Sequence, residues 1–223
     1  MIRKRDCSER IYKNAGNLSL LALVPDNSFV LDCGCGAGDN ARILRSRGCR
    51  ITGITISPTE LDTASAYCEE VYLWDLECGI PETIRNKYDV VLMSHVLEHL
   101  FHPGRVLQDT KKVLKSGGIL VVALPNVLMY RIRLDFLLGR FEYTDGGIMD
   151  ETHVRFYTFA TGAKLLEANG YKLVKEQSEG AFPLWKARNI LPVGLVKALN
   201  HFVVKHWPGI FGWQSLYLAR VAG

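Results

Sequence analysis

The stretch VLDCGCGAGDNA, residues 30 to 41, limits the fold of this chain more than any other segment. An apolar run over residues 28 to 33 leads into a turn with glycines at positions 34, 36 and 38. Residues 39 to 48 then place apolar side chains at helical spacing and end at Gly48. The segment therefore predicts a buried strand, a tight turn and a helix, which is the opening unit of an α/β fold.

The alternation of strands and helices continues along the chain. Further strands are predicted at residues 49–56, 71–75, 88–94, 118–125, 171–177 and 214–221. Helices are predicted at residues 57–70, 103–118 and 158–170, the first with Ser57 as its N-cap and Pro58 in its first turn. Because Val, Ile and Leu run almost without interruption through these strands, we expect a doubly wound, Rossmann-like sheet covered on both faces.

Composition and charge narrow the classes of function. The 223 residues are 48% hydrophobic, which suits a single domain. A net charge of +4 is spread along the chain, so we expect no nucleic-acid partner. The six cysteines lack a repeated metal-finger spacing, and the polar N-terminus lacks the apolar core of a signal peptide. We therefore expect reduced thiols and a cytoplasmic protein.

Two carboxylates flank the glycine turn. Asp32 precedes the first glycine, and Asp39 stands where the dinucleotide-binding fingerprint has its third glycine. Carboxylates repel a diphosphate and attract a cation, while glycines let a ligand approach the backbone closely. The turn therefore favours a nucleoside that carries positive charge, as S-adenosylmethionine does, over a nicotinamide or flavin nucleotide.

In these residues the sequence resembles motif I of the class I S-adenosylmethionine-dependent methyltransferases. The resemblance continues in order through YLWDLE, YDVVLMSHVLEHL and LKSGGILVVALPN, and covers roughly residues 28 to 177. It implies a seven-stranded, mostly parallel sheet with one antiparallel edge strand, which the last two predicted strands would supply. The cofactor-binding residues that it implies are Asp32, Gly34, Cys35, Gly36, Gly38, Thr55, Ile56, Asp75, Leu76, Ser94 and His95.

One position departs from the family pattern. Most relatives end the second strand with an acidic residue that holds both ribose hydroxyls, whereas this chain has Thr55 there. A hydroxyl makes fewer and uncharged hydrogen bonds, so ribose binding needs help from another group. Glu60, one helical turn further on, is the candidate. The alternative is that Glu60 is an ordinary solvated helix residue.

A second cluster of reactive side chains comes from SHVLEHLFH and ETHVRFYTF. If the first segment is helical, His95, Glu98, His99 and His102 share one face, and His153 would join them. Three interpretations remain open. The glutamate and histidines could be structural, His153 could be a general base, or Glu98, His99 and His153 could bind a divalent metal that activates a substrate hydroxyl. The candidate catalytic residues are His153, His99, Glu98 and His95, and the sequence leaves a metal undecided.

The acceptor of the methyl group is suggested by residues 125 to 160. They resemble bacterial methyltransferases of surface-polysaccharide biosynthesis, and the matching positions are Asn126, Arg131, Tyr143, Asp150, Thr152, His153 and Arg155. The resemblance implies an O-methyltransferase that acts on a small hydroxylated acceptor, most simply a sugar of a nucleotide-linked or lipid-linked glycan. The alternatives are a quinone or phenol acceptor, and a catalytically silent protein that binds the cofactor.

Two segments stand outside the alternating pattern. We expect residues 126–157 and 178–212 to be insertions on the substrate side of one domain that spans residues 1–223. Within residues 185–213 the apolar side chains Leu195, Val196, Leu199, Phe202 and Val203 fall on one side of a helix, together with His206. Such a basic amphipathic segment can be a lid over the active site, which we favour, or can make peripheral contact with a membrane. The oligomeric state cannot be inferred.

Overall fold

A computed structural model describes residues 15–184 and 190–222 of the chain. Seven strands form one sheet in the order β3-β2-β1-β4-β5-β7-β6. The strands are β1 Phe29–Cys33, β2 Arg50–Thr55, β3 Glu70–Leu73, β4 Tyr88–Ser94, β5 Leu114–Pro125, β6 Tyr171–Gly180 and β7 Gly212–Val221. The first five pair in parallel, so the predicted doubly wound α/β fold is confirmed.

The reversed part of the sheet lies at one side. Strand β7 is antiparallel to both β5 and β6 and lies between them. The antiparallel strand is therefore one position in from the edge, and β6 forms the edge itself. Because β7 runs against its neighbours, its first residues lie level with the last residues of β5, where Pro125 pairs with Gln214.

Eight α-helices are described in residues 15–184 and 190–222. They are α1 Leu18–Leu21, α2 Asp39–Ser46, α3 Pro58–Ala64, α4 Pro103–Val113, α5 Tyr130–Leu137, α6 Phe159–Ala168, α7 Val193–His206 and α8 Pro208–Phe211. Two predicted helices are shorter than expected. Helix α3 ends at Ala64 because the chain turns there to enter β3, and α4 ends at Val113 because β5 already begins at Leu114.

The segment that carries the second cluster is not a continuous helix, so the condition for a shared face is not met. Only Leu97–His99 form a helical turn, and that turn is of the 3-10 type. His95 has a φ of 58°, which interrupts a helix, and Pro103 disfavours helical geometry in the residue before it. His102 is therefore exposed outside the turn, as the residue that precedes α4.

Both faces of the sheet are covered, as the apolar strands predicted. In β4, Val91 and Met93 belong to one buried cluster, whereas Val90 and Leu92 belong to the cluster on the other face. All four side chains are fully buried. This rigid central strand carries Ser94 and His95 at its carboxyl end.

The predicted apolar face of the segment after β6 is only partly buried. Helix α7 buries Val196, Val203 and Val204, whereas Leu195 and Phe202 are exposed. The helix therefore packs through a stripe that is narrower than the apolar side to which Leu195 and Phe202 belong. Residues 185–189 lie outside the described residues. Of the helices that the structure describes, none has the length and apolar character needed to cross a membrane.

Candidate functional site

The candidate site lies at the carboxyl ends of the parallel strands. Strands β1 and β4 are parallel neighbours at the point where the strand order reverses, with β2 and β3 on one side and β5 on the other. Ligands of doubly wound sheets bind in the crevice at such a point. Asp32 in β1 is in register with Gly53 in β2 and Leu92 in β4. The glycine turn after β1 and His95 after β4 therefore border the same crevice.

The glycine turn needs its glycines for conformation and for space. Gly34, Gly36 and Gly38 have φ values of 78°, 54° and 88°, a region that other residues rarely adopt. A Cβ atom on Gly34 would lie 2.6 Å from Val96 Cγ2. The backbone N–H groups of Gly34 and Cys35 donate to the Ile54 carbonyl, which ties the turn to β2. The turn is thus held close to its neighbours, with no room for side chains at Gly34.

Cys35 faces into the protein rather than serving as a reactive thiol. Its sulfur lies above β2, 2.7 Å from the place that a Cβ on Gly53 would occupy. The hydrogen bond to the Cys68 thiol and burial both raise the pKa of Cys35. Cys35 therefore contributes to the turn through its backbone. The cysteines of the described residues are free thiols.

Asp32 is the most unusual polar residue of the crevice. Its side chain is 0% exposed, and both carboxylate oxygens lack a hydrogen-bond partner among the described residues. Burial raises the pKa of Asp32 to about 7. An orphaned carboxylate of this kind is costly in the empty protein and is well suited to receive a cationic ligand.

Glu60 lies beside Thr55 at the end of β2, where the family pattern has an acid. The side chain is 4% exposed, so the interpretation of Glu60 as a solvated helix residue is wrong. Thr55 Oγ1 donates to Glu60 Oε2 at 2.9 Å and accepts from the Ser57 N–H at 3.2 Å. Helix α3 thus returns a carboxylate to the position next to Thr55. Ile56, between these residues, is half exposed at the rim.

The end of β3 supplies the remaining predicted cofactor residues. Strand β3 stops at Leu73, and Asp75 caps a 3-10 helix over Leu76–Cys78, with Oδ1 accepting from the Glu77 N–H at 2.9 Å. Leu76 is buried beneath it. Asp75 therefore has one oxygen bound to the backbone and stands at the same edge as Thr55 and Ser94.

Glu98, His99 and His153 come together although 54 positions separate the last two. Each offers one ligand atom, and these atoms lie within 4.8 Å of one another. Glu98 is fully buried, and its Oε2 has no hydrogen-bond partner among the described residues. The Glu98 carbonyl accepts the N–H groups of Val154 and Arg155, which fixes the two segments together.

Hydrogen bonds define which nitrogen of each histidine carries the proton. His153 Nδ1 lies 3.0 Å from the Ile148 carbonyl, which can only accept. His99 Nδ1 faces the Thr152 carbonyl and the Thr152 hydroxyl, which itself donates to Asp150. Both rings therefore donate from Nδ1 and keep the Nε2 lone pair. Burial lowers the pKa of His153, which favours the neutral ring.

His95 has a different environment from the other two histidines. Its Nδ1 lies 3.1 Å from Glu98 Oε1, and its Nε2 lies 3.0 Å from Gln214 Oε1. Burial alone would lower the pKa of His95, but the hydrogen bond and negative charge of Glu98 outweigh burial and raise it. His95 is therefore a donor to two acceptors rather than a base. Gln214 was missed by sequence reasoning, because it lies 119 positions away in an apolar strand.

Most residues of the predicted acceptor pattern hold the scaffold. The Asn126 amide donates to the Gly209 and Gly212 carbonyls. Asp150 accepts from Thr152, and the Arg155 guanidinium donates to the Phe101 carbonyl. Arg131 and Tyr143 are exposed. The structure thus brings His153 to Glu98 and leaves His102, Arg131 and Tyr143 outside that cluster.

Comparison with known proteins gives a consistent result. A family model described as "Methyltransferase domain" matches residues 5–176. The chain is 32% identical over 129 residues to the ubiquinone biosynthesis O-methyltransferase of Rickettsia canadensis (strain McKiel), with 56% of this chain and 53% of that protein covered. The protein of the same name from Rhodopseudomonas palustris (strain HaA2) is 33% identical over 128 residues, with 56% and 49% covered. The chain spans about half the length of the curated relatives that it matches.

Solved structures share the fold. A SAM-dependent methyltransferase from Archaeoglobus fulgidus superimposes with a TM-score of 0.60 at 21% sequence identity. The match covers 85% of this chain and 84% of the other. At that identity the likeness concerns the arrangement of strands and helices, which agrees with the seven-stranded sheet described above.

Proposed function

The chain belongs to the class I S-adenosylmethionine-dependent methyltransferases. We propose that it methylates a hydroxyl oxygen of a small phenolic acceptor of the quinone-precursor kind. The observation that carries the proposal is the Glu98–His99–His153 cluster, which follows the strand at the cofactor crevice. The names of the curated relatives support the phenolic acceptor.

The residues of the crevice fit the cofactor. When bound, S-adenosylmethionine supplies a methyl group on a positively charged sulfur. The orphaned carboxylate of Asp32 suits its cationic methionine end, and the bare backbone at Gly34 permits close approach. Thr55 with Glu60 offers a hydroxyl and a carboxylate for the ribose. These groups belong to three different elements of one crevice, so they can act on one ligand.

His153 is the residue best placed to take the proton of the acceptor hydroxyl. Its Nδ1 hydrogen is committed to the Ile148 carbonyl, which leaves Nε2 as the proton acceptor. The lowered pKa keeps the ring neutral near pH 7. The transfer is a displacement in line, so most of the rate comes from the orientation of the acceptor oxygen, and proton removal adds a smaller factor.

The same three side chains also fit a divalent metal. One carboxylate and two imidazoles, each with Nδ1 held by a protein oxygen, form a donor set that metal sites use. A metal held there would lower the pKa of the acceptor hydroxyl. Two nitrogen donors and a single carboxylate favour a softer ion than Mg²⁺.

The phenolic acceptor takes precedence over the glycan acceptor that residues 125 to 160 imply. The amide of Asn126 and the guanidinium of Arg155 are engaged by backbone carbonyls of the protein itself. Their role in the scaffold explains the sequence pattern without a sugar. The glycan acceptor stays a prediction that the same assay tests.

The first experiment is titration of the purified full chain with S-adenosylhomocysteine by calorimetry, with and without chelator pretreatment. Micromolar binding is expected. Methyl transfer from labelled S-adenosylmethionine is then measured to a soluble catechol, 3,4-dihydroxybenzoate, and to nucleotide sugars. Labelled catechol supports the proposal, whereas a labelled sugar restores the glycan acceptor. Binding of S-adenosylhomocysteine without methyl transfer to either acceptor would favour the silent protein, and absence of binding would refute the assignment of the cofactor crevice.

The variant His153→Ala tests the role of the cluster. We expect it to lower turnover by roughly 100-fold or more, the contribution of a general base, and to leave S-adenosylhomocysteine affinity unchanged. His102→Ala is the matched control, because His102 is exposed and lies outside the cluster. Equal turnover in the two variants would remove His153 from the mechanism. The metal content of the protein before and after chelation separates the two roles of His153.

A further inference from the structure

Gln214 is a buried polar residue next to the site that neither the motifs nor the proposed function uses. It is the third residue of β7 and is 7% exposed. Its amide oxygen accepts from Asn17 Nδ2 at 2.8 Å and lies 3.0 Å from His95 Nε2. Its amide nitrogen donates to Glu179 Oε2 at 2.6 Å and to Asn17 Oδ1 at 3.2 Å. All hydrogen-bonding groups of a buried amide are thus engaged.

The carboxylate of Glu179 fixes the orientation of this amide. A carboxylate only accepts hydrogen bonds, so the Gln214 atom that faces Glu179 must be the NH2 group. The oxygen of the amide then faces His95, and His95 must donate from Nε2. The direction of the hydrogen bond at His95 is therefore imposed by Glu179 of β6 and Gln214 of β7.

His95 depends on such support because its backbone is strained. Its φ of 58° lies in the left-handed region, which a residue with a side chain rarely adopts. The backbone N–H donates to the Ala123 carbonyl at 3.2 Å, and the ring is held between Gln214 and Glu98. With both ring nitrogens engaged, the ring cannot rotate without the loss of one hydrogen bond.

We infer that Gln214 is a positioning residue that holds the His95 ring with Nε2 as a donor and, through that ring, holds Glu98 in the His99 and His153 cluster. The inference rests on the proposed function, since it assigns His95 and Glu98 to the transfer site. Gln214 binds one end of the ring, and the other end binds Glu98 Oε1. Glu98 Oε2 then remains without a partner among the described residues and is available to the reaction.

Two variants of the full chain test this inference. Gln214→Met keeps the length of the side chain and removes its hydrogen bonds. The double variant Q214E/E179Q exchanges the amide and the carboxylate. The side chain at position 214 then still accepts the hydrogen bond from His95, and the side chain at position 179 donates a hydrogen bond to position 214. The readout is the ¹H–¹⁵N NMR correlation of the His95 Nε2–H group. The signal is assigned by its loss in the variant His95→Asn, because asparagine tolerates the left-handed backbone at this position. Thermal melting verifies that each variant is folded.

We expect the Nε2–H correlation in the wild-type protein and in Q214E/E179Q, and its loss to solvent exchange in Gln214→Met. The kcat of methyl transfer to 3,4-dihydroxybenzoate should fall by roughly 10-fold in Gln214→Met, the usual effect of removing a hydrogen-bond partner that orients a residue of the site. The kcat should recover in the double variant. A correlation that survives in Gln214→Met, or is absent from the wild type, overturns the inference. Failure of the wild type to bind S-adenosylhomocysteine or to methylate the catechol refutes the proposed function alone, because the correlation requires neither.

Discussion

The buried carboxylate of Asp32 predicts that the empty protein loses stability as the pH rises. In the unfolded chain the carboxyl loses its proton near pH 3.8, whereas in the folded chain burial raises the pKa to about 7. Between these values the folded state holds one more proton than the unfolded state. The free energy of unfolding therefore falls from about pH 4 to about pH 7 and is constant above that range.

The magnitude follows from the size of the shift. About three pKa units at ~1.4 kcal/mol each give a loss of about 4 kcal/mol for a fully buried carboxylate. Asp32→Asn removes the ionisation and keeps the shape. We therefore expect this variant to be more stable than the wild type by about 4 kcal/mol at pH 8 and by about 1.6 kcal/mol at pH 5. The variant should also bind S-adenosylhomocysteine roughly 10- to 100-fold more weakly, since a hydrogen bond to a charged group is lost.

Urea denaturation at pH 5, 6, 7 and 8 without ligand measures the first effect, and calorimetry at pH 8 measures the second. Asp62→Asn is the matched control, because Asp62 is exposed on α3. A stability difference between wild type and Asp32→Asn that does not grow with pH would refute the reasoning about burial. Equal ligand affinity would refute the assignment of Asp32 to the cofactor.

Two further substitutions test the crevice. Gly34→Ala should cost about 1–3 kcal/mol of stability and weaken S-adenosylhomocysteine binding. The backbone of residue 34 has a positive φ, and the added Cβ would lie 2.6 Å from Val96 Cγ2. Gly117→Ala is the control, because position 117 shares the positive φ but its added Cβ meets no atom within 4 Å. Denaturation and calorimetry of the two variants isolate the effect of the contact with Val96. Equal effects in both variants would contradict a role for that contact. Thr55→Val should cost about 1–3 kcal/mol, because a buried hydrogen bond to Glu60 is lost. It should also reduce S-adenosylhomocysteine affinity, and unchanged calorimetric affinity would remove Thr55 from the ribose site.

The parts of the fold that sequence predicts well are those that local pattern determines. Strand β4 was predicted at its observed bounds, since a run of apolar residues buried on both faces has few other solutions. Whether residues 95–102 form a helix was left open, because spacing alone does not reveal the left-handed backbone of His95. The position of β7 inside the sheet depends on long-range pairing, which periodicity does not encode.

The residues of the candidate site likewise fall into those that local sequence predicts and those that depend on long-range contacts. The glycine turn and Asp32 follow one another in sequence, so their common location could be predicted. His153 was placed with Glu98 by resemblance, and the structure brings them together. Gln214 could not be found, because its partners come from three distant segments and its own strand reads as an apolar run. Contacts of this kind are set by tertiary packing, and a single sequence carries no signal for them.

The pair of Thr55 and Glu60 shows why a departure from a motif must be judged by where the side chains end. The family pattern places an acid at the end of the second strand, and this chain has a hydroxyl there. Pro58 starts α3 directly after that strand, so the first turn of the helix returns Glu60 to the end of the strand, within 2.9 Å of the Thr55 hydroxyl. A carboxylate thus lies at this edge, carried by the helix instead of the strand. We therefore expect ribose binding to tolerate Thr55 in place of the acid, because a carboxylate lies beside it in the same crevice.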